Sequence, residues 1–322
     1  MKPLTQQTTI KPQDGFIPLA WMDWGLRMPA EWRPLRLTGE WDRGAAMIGD
    51  GHRAILQLKW WRPRMRKFKP AKWIGRRVRA EAGRRAEPVE GPSPQGFAQT
   101  AWLPADPALK RRRALWYGFH EVSGLMLEAA IDGTVDQETQ RTVEQKVLPS
   151  LTAAALDTPR VHAVFGASFG VPPAYRIESW KTMLGDITLK LARRTEHAAL
   201  LVRQVYPAKL ALRRRPLKQW LLDRPFKEHR QFLPERDDEV FILNTDDGEL
   251  KGLCRTGSKR LPCPLGRVAA LQSTSAIVCE EPRNRLLFAE HDAPGNTDQQ
   301  AVINAIRGMD VVGTPQTGRR TR

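Results

Sequence analysis

Two stretches decide the fold: residues 54–74, AILQLKWWRPRMRKFKPAKWI, and residues 201–221, LVRQVYPAKLALRRRPLKQWL. Each starts with an apolar run of strand character, passes through basic residues and ends in a segment with helical spacing. Gln57 aligns with Gln204 and Trp73 with Trp220, each pair 147 positions apart, so the match needs no gap. Self-similarity at a fixed separation is the signature of a repeated unit. Identity is thin between these landmarks, since Leu56 faces Arg203 and Trp60 faces Pro207. Upstream, Pro29-Ala-Glu-Trp32-Arg33 echoes Pro172-Pro-Ala-Tyr175-Arg176. A final helix over Ala301–Gly308 falls where a copy of Gln140–Leu151 belongs. A chain of 322 residues has room for two domains of ordinary size. The expected organisation is a flexible 1–11, a first half 12–158, a second half 159–310 and a disordered basic tail 311–322.

Working outward, short strand patterns end at turn signals. Ala54–Trp61 follows Gly49-Asp50-Gly51, Leu125–Ile131 precedes Asp132-Gly133, and Val240–Leu243 precedes Asp247-Gly248, which predicts antiparallel hairpins. Helical patterns are fewer. Gln137–Leu151 sets Val143, Val147, Leu148 and Leu151 on one stripe, and Leu210–Leu222 holds Leu212, Leu217, Trp220 and Leu221 despite Pro216. Thr297 can cap a last helix carrying Val302, Ile303 and Ile306. The segment 80–96, rich in Gly, Pro and charge, reads as a loop. Strand runs with a few helices predict the α+β class: two pseudo-repeated halves, each a twisted antiparallel sheet flanked by helices.

The Pro-aromatic-Arg motifs (Pro29, Trp32, Arg33; Pro172, Tyr175, Arg176) and the strand-to-helix passages Gln57–Ile74 and Gln204–Leu221 resemble the PsbP-like superfamily. That group includes the photosystem extrinsic PsbP proteins, the Ran-binding Mog proteins and the DcrB-type domains. The resemblance covers residues 12–309 as two copies. It implies an α/β/α sandwich and a binding role without catalysis. The strong positive charge and the doubling depart from many members, so no family binding residue is transferred.

Charge is the strongest functional signal. Lys plus Arg total 52 against 35 Asp plus Glu, a net +17, which points to anionic partners. The excess is clustered. Lys59, Arg62, Arg64, Arg66, Lys67, Lys69, Lys72, Arg76 and Arg77 form the candidate anion or partner-binding set of the first half. Arg203, Arg213, Arg214, Arg215 and Lys218 form that of the second. Guanidinium groups suit phosphates and carboxylates, and Trp60, Trp61 or Trp73 would be available for stacking on bases. The competing explanation is that Arg, Ala, Gly and Pro all follow from a GC-rich coding sequence, with charged faces merely solvated. The first reading is a cytoplasmic, non-enzymatic binding or adaptor protein whose basic surface meets an acidic protein segment or other polyanion. Nucleic-acid binding is the alternative, although zinc-finger spacing, an RNP-type signature and a GxxG loop are all missing. Oligomeric state is left open.

Enzymatic readings are narrower. Gly166-Ala167-Ser168-Phe169-Gly170 fits Gly-x-Ser-x-Gly, and Asp246 or Asp247 and His291 follow in the order of an α/β-hydrolase triad. This makes a serine hydrolase using Ser168 the second alternative. Pro172-Pro173 just behind the serine opposes the helix that such a nucleophile needs. The six histidines lack H-x₃-H and H-E-x-x-H spacing, and Cys254, Cys263 and Cys279 lack C-x₂-C spacing, so no metal is expected. An odd, sparse cysteine count suits reduced thiols. No phosphate-binding loop is found, and no cofactor is expected. Neither a signal-peptide core nor an apolar stretch of spanning length appears in the sequence.

Overall fold

A computed structural model describes residues 15–64, 68–83, 88–106, 112–154, 160–165, 167–172, 174–183, 185–193, 195–213, 215–222, 232–235, 238–245, 248–261, 269–295, 297 and 299–311. The chain divides into two compact units, Met1–Gly166 with Val311–Arg322, and Ala167–Asp310.

The first unit begins with a hairpin of β1 (Phe16–Trp21) and β2 (Trp24–Pro29). Its two-residue turn, Met22-Asp23, has φ of 47° and 69°. Two successive left-handed residues give the turn that matches the right-handed strand twist, and Asp tolerates that conformation better than most residues. Then come β3 (Arg33–Gly39), β4 (Arg43–Gly49), β5 (Ala54–Trp61), α1 (Pro70–Ala82), β6 (Phe97–Leu103), β7 (Ala114–His120) and β8 (Leu125–Ile131). They make a six-stranded antiparallel sheet in the order β3-β4-β5-β8-β7-β6. α2 (Gln137–Thr142), β9 (Thr152–Ala153) and β10 (Arg160–Val164) follow, and β9 and β10 flank the first hairpin in the order β9-β2-β1-β10.

The second unit holds β11 (Ala167–Val171), β12 (Arg176–Met183), β13 (Asp186–Arg193), β14 (Ala198–Val205), α3 (Ala208–Leu212), α4 (Leu217–Leu222), β15 (Phe232–Pro234), β16 (Glu239–Thr245), β17 (Gly248–Leu261), β18 (Ala269–Glu280), β19 (Arg285–Ala293), α5 (Gln299–Arg307) and β20 (Met309–Val311). Its sheet runs β12-β13-β14-β19-β18-β17-β15, with β16 also on β17, and β20 lies beside β11. The order third strand, helix, then a meander that returns beside the third strand is thus the same in both sheets.

The α+β, PsbP-like α/β/α sandwich is corrected by these elements. Among the described residues, strands dominate in antiparallel sheets, and the helices are few and mostly a turn or two long. Several predicted helices break. In 137–151, Asp136 caps α2 by accepting from the Thr139 amide at 2.8 Å, but the run continues as a π turn over Val143–Val147 and a 3₁₀ turn at Leu148–Ser150. Its stripe still buries Val143, Val147, Leu148 and Leu151 completely. In 210–222, Arg213 turns left-handed at φ 48° and separates α3 from α4. Thr297 bonds Thr274 at 2.5 Å, while Val302 and Ile306 of α5 are buried. The central strands read poorly because both faces are covered. β7, ALWYGFH, is buried at every position, so polar-apolar alternation disappears. Among the described residues, no helix is long and apolar enough to cross a membrane.

Candidate polyanion-binding site

α1 starts on Pro70, whose ring presets φ for the first helical position, and ends at Gly83, φ 93°, whose amide bonds the Arg79 carbonyl at 3.0 Å. Ile74 and Val78 point into the sheet and join a core of Leu115, Tyr117, Phe119 and Met126. Trp73 packs on Trp61 with ring centroids 4.7 Å apart, and edge-on to Tyr117 at 6.0 Å. At 100° per residue, Lys69, Lys72, Arg76 and Arg79 fall within an arc of about 80° opposite Ile74 and Val78. All four are exposed, and the residues beside them are the small Ala71, Gly75 and Ala80. The acid of this helix, Glu81, lies off the arc and pairs with Arg77 at 3.7 Å.

The other predicted residues separate by burial. Lys59 and Arg77 both reach Glu128, at 3.4 and 3.2 Å, and Arg77 lies over the Trp73 ring at 5.8 Å. Burial, with the Glu128 carboxylate adjacent, pushes the Tyr117 phenol beneath them up to about 12. Arg62 is buried. Its guanidinium stacks 4.1 Å from the Trp41 ring centroid, donates to the Ser123 carbonyl at 2.7 Å and meets Asp23 at 3.1 Å. Asp23 also takes Arg160 at 2.5 Å and the Trp41 indole N–H at 2.5 Å. Arg64 is exposed; Arg66 and Lys67 lie outside the described residues.

In the second unit, Arg203 holds Asp186 through two bonds of 2.8 and 2.6 Å and lies 6.0 Å from the Trp220 ring. Arg213 and Arg215 are exposed, and Arg214 lies outside the described residues. Lys218 reaches Asp238 at 3.6 Å, where Arg255 is already clamped at 2.5 and 2.8 Å. The Arg255 hydrogen bonds hold the Asp238 carboxyl below its usual range. The predicted cationic set is therefore of two kinds: cations paired with Asp23, Glu128, Asp186 or Asp238, of which Lys59 and Lys218 stay exposed, and the solvent-facing Arg64, Lys69, Lys72, Arg76, Arg213 and Arg215. Strand register accounts for Lys59 and Arg203, which meet Glu128 and Asp186 across ladders, whereas Arg77 reaches Glu128 from α1 and Arg62 meets Asp23 of the β1–β2 turn.

Other chemistry finds little geometry. Trp60 is 1% exposed, and Trp61 and Trp73 are partly buried against the first core and against each other. Ser168 is the second residue of β11, buried along with both its neighbours in the strand, and not on a strand-to-helix turn. The His291 Nε2 is engaged by the Tyr175 hydroxyl at 2.6 Å; Asp246 and Asp247 lie outside the described residues. Burial raises the Cys254 thiol to about 11 and also raises Cys279, leaving both as thiols at neutral pH; Cys263 lies outside the described residues. Among the described residues no His, Cys, Asp and Glu cluster could hold a metal ion. No protein-family model matches the chain, and no curated protein matches it in sequence.

Proposed function

We propose that this chain is a binding protein that captures a polyanion on the outer face of α1, acting by electrostatic attachment without chemistry of its own. The observation that carries this is the arc of Lys69, Lys72, Arg76 and Arg79, exposed together and without an acid on the same arc. Cations so spaced attract a chain of negative charges and release its counterions. The buried cations, by contrast, are committed to holding the fold. The test is elution from a heparin column. Lys72→Ala/Arg76→Ala/Arg79→Ala should elute at clearly lower salt than Arg36→Ala/Arg43→Ala/Lys181→Ala, which removes the same charge from other exposed positions. Equal shifts would reduce the α1 face to a share of the net charge.

A further inference from the structure

Resting on that reading, we infer that the polyanion is the phosphate backbone of a double-stranded nucleic acid, bound without regard to sequence. Three features favour it over an acidic protein or a single strand. The first is what the outer face of α1 lacks. Protein interfaces are enriched in Tyr, Trp, Phe, Met and Arg and depleted in Lys, and their strongest contacts come mostly from Trp, Tyr and Arg set in desolvated pockets. Beside Lys69, Lys72, Arg76 and Arg79 this helix exposes Ala71, Ala80 and parts of Gly75 and Trp73, so a protein partner would find charge and little apolar surface to bury.

The second feature is the placement of the aromatics. Binding of single strands relies on rings on which bases stack. The tryptophans nearest α1 are already engaged: Trp73 lies against Trp61 at 4.7 Å and under the Arg77 guanidinium at 5.8 Å, and both rings are partly buried on the same core. A duplex keeps its bases stacked on one another and asks the protein only for cations at its phosphates. The third is dimension. Ten residues separate Lys69 from Arg79, about 15 Å at 1.5 Å per residue. One strand of a duplex rises about 3.4 Å per nucleotide, so the row spans roughly four nucleotides. The small residues between the cations let the helix surface approach the backbone closely. The Arg79 Nε is spent on the Gly75 carbonyl at 3.1 Å, and a row of cations along one helix face meets phosphates, whose contacts carry no sequence information.

The experiment is fluorescence anisotropy with the full chain across a salt series. The probe is a labelled random-sequence DNA duplex of roughly two helical turns; a single strand of the same length and poly-glutamate are compared with it. The duplex should bind the wild-type chain, and the slope of log K against log salt should become shallower by about 2.7 in Lys72→Ala/Arg76→Ala/Arg79→Ala, about 0.9 for each phosphate no longer neutralised. Arg36→Ala/Arg43→Ala/Lys181→Ala should leave the slope nearly unchanged. Two duplexes of different sequence should bind with similar affinity. All three substitutions are of exposed side chains, and a native near-ultraviolet circular dichroism spectrum confirms the fold. Duplex binding whose slope ignores the α1 substitutions overturns the inference, as does a single strand binding more tightly than the duplex or a strong sequence preference. If poly-glutamate binds through α1 and the duplex does not, the nucleic-acid inference fails while the polyanion reading stands. If neither binds, both fail.

Discussion

His162, in β10, shows what a single buried side chain can impose. It is 2% exposed, and among the described residues neither ring nitrogen has a hydrogen-bond partner. Trp21 lies edge-on to it at 6.0 Å. Burial lowers its pKa to about 4; of the charged groups near it, Asp23 pulls the other way and Arg160 adds to the lowering. The native state keeps the imidazole neutral, whereas the unfolded chain takes up a proton near the ordinary value of about 6.5. Stability from this group is therefore complete above about pH 6.5 and declines as pH falls towards about 4, by about 3 kcal/mol in total. His162→Leu should flatten the pH dependence of the urea midpoint across that window. Wild-type and variant curves running parallel from pH 6.5 to 4 would refute the assignment. Nothing in the local sequence RVHAV announced this group, since a histidine inside a strand pattern reads equally as exposed. The same is true of Arg62 and Arg203, which read as surface charge in the sequence: the β1–β2 turn brings Asp23 to the first, and the β13–β14 ladder brings Asp186 to the second.

At the scale of elements, strand pairing explains residues that composition leaves mute. Gly44 of β4 pairs with Trp60 of β5. A Cβ built on Gly44 would stand 2.2 Å from the Trp60 ring and 2.4 Å from the Thr38 carbonyl oxygen. The indole lies flat across the bare backbone, with its N–H on the Glu40 carbonyl at 3.0 Å. Gly44→Ala should cost about 1–3 kcal/mol through overpacking, read as a lower urea midpoint at unchanged m-value; a neutral midpoint would mean that the ring has room to move. The sequence disclosed strands such as Ala54–Trp61 and Leu125–Ile131 because Asp-Gly and Gly-Asp turns bound them. It concealed helix breaks, because an apolar stripe survives a switch from α to π or 3₁₀ winding, as Val143, Val147 and Leu148 demonstrate. It also misaligned residues 54–74 with residues 201–221. In the first sheet Lys59 faces Glu128, three residues beyond the start of β8; in the second Arg203 faces Phe288, three residues beyond the start of β19. Lys59 and Arg203 are thus the equivalent positions, 144 apart, whereas Gln57 lies on the α1 face and Gln204 on the face away from α4. Three extra residues between β14 and α4 restore the 147-position spacing of Trp73 and Trp220, each of which packs on its own sheet from the helix after the third strand.

For the whole molecule, shared connectivity and clustered charge have separate physical consequences. Trp32 and Tyr175, each buried, donate a backbone N–H to the carbonyl three residues back, Pro29 at 3.0 Å and Pro172 at 3.1 Å, just before the first strand of each sheet. From there each sheet places its third strand against its last: β5 beside β8, and β14 beside β19. These two pairs sit at the centre of their sheets and join segments far apart in sequence, and β8 and β19 are buried at nearly every position. β19 is buried at eight of nine positions, while the edge strands β3 and β12 each bury a single residue, Pro34 and Ile177. Opening a central pair requires the loss of two ladders and most of a core, whereas an edge strand can detach by losing one ladder. Hydrogen exchange followed by mass spectrometry should therefore find the slowest amides in β5, β8, β14 and β19 of the respective units, with β3 and β12 exchanging orders of magnitude sooner. Protection in β3 or β12 equal to that of the central pairs would show that another surface covers those edges. The exposed row on α1 bears on none of these ladders, so Lys72→Ala/Arg76→Ala/Arg79→Ala should leave the slow set unchanged; loss of protection in β5 or β8 would show that these cations support the sheet as well as facing solvent.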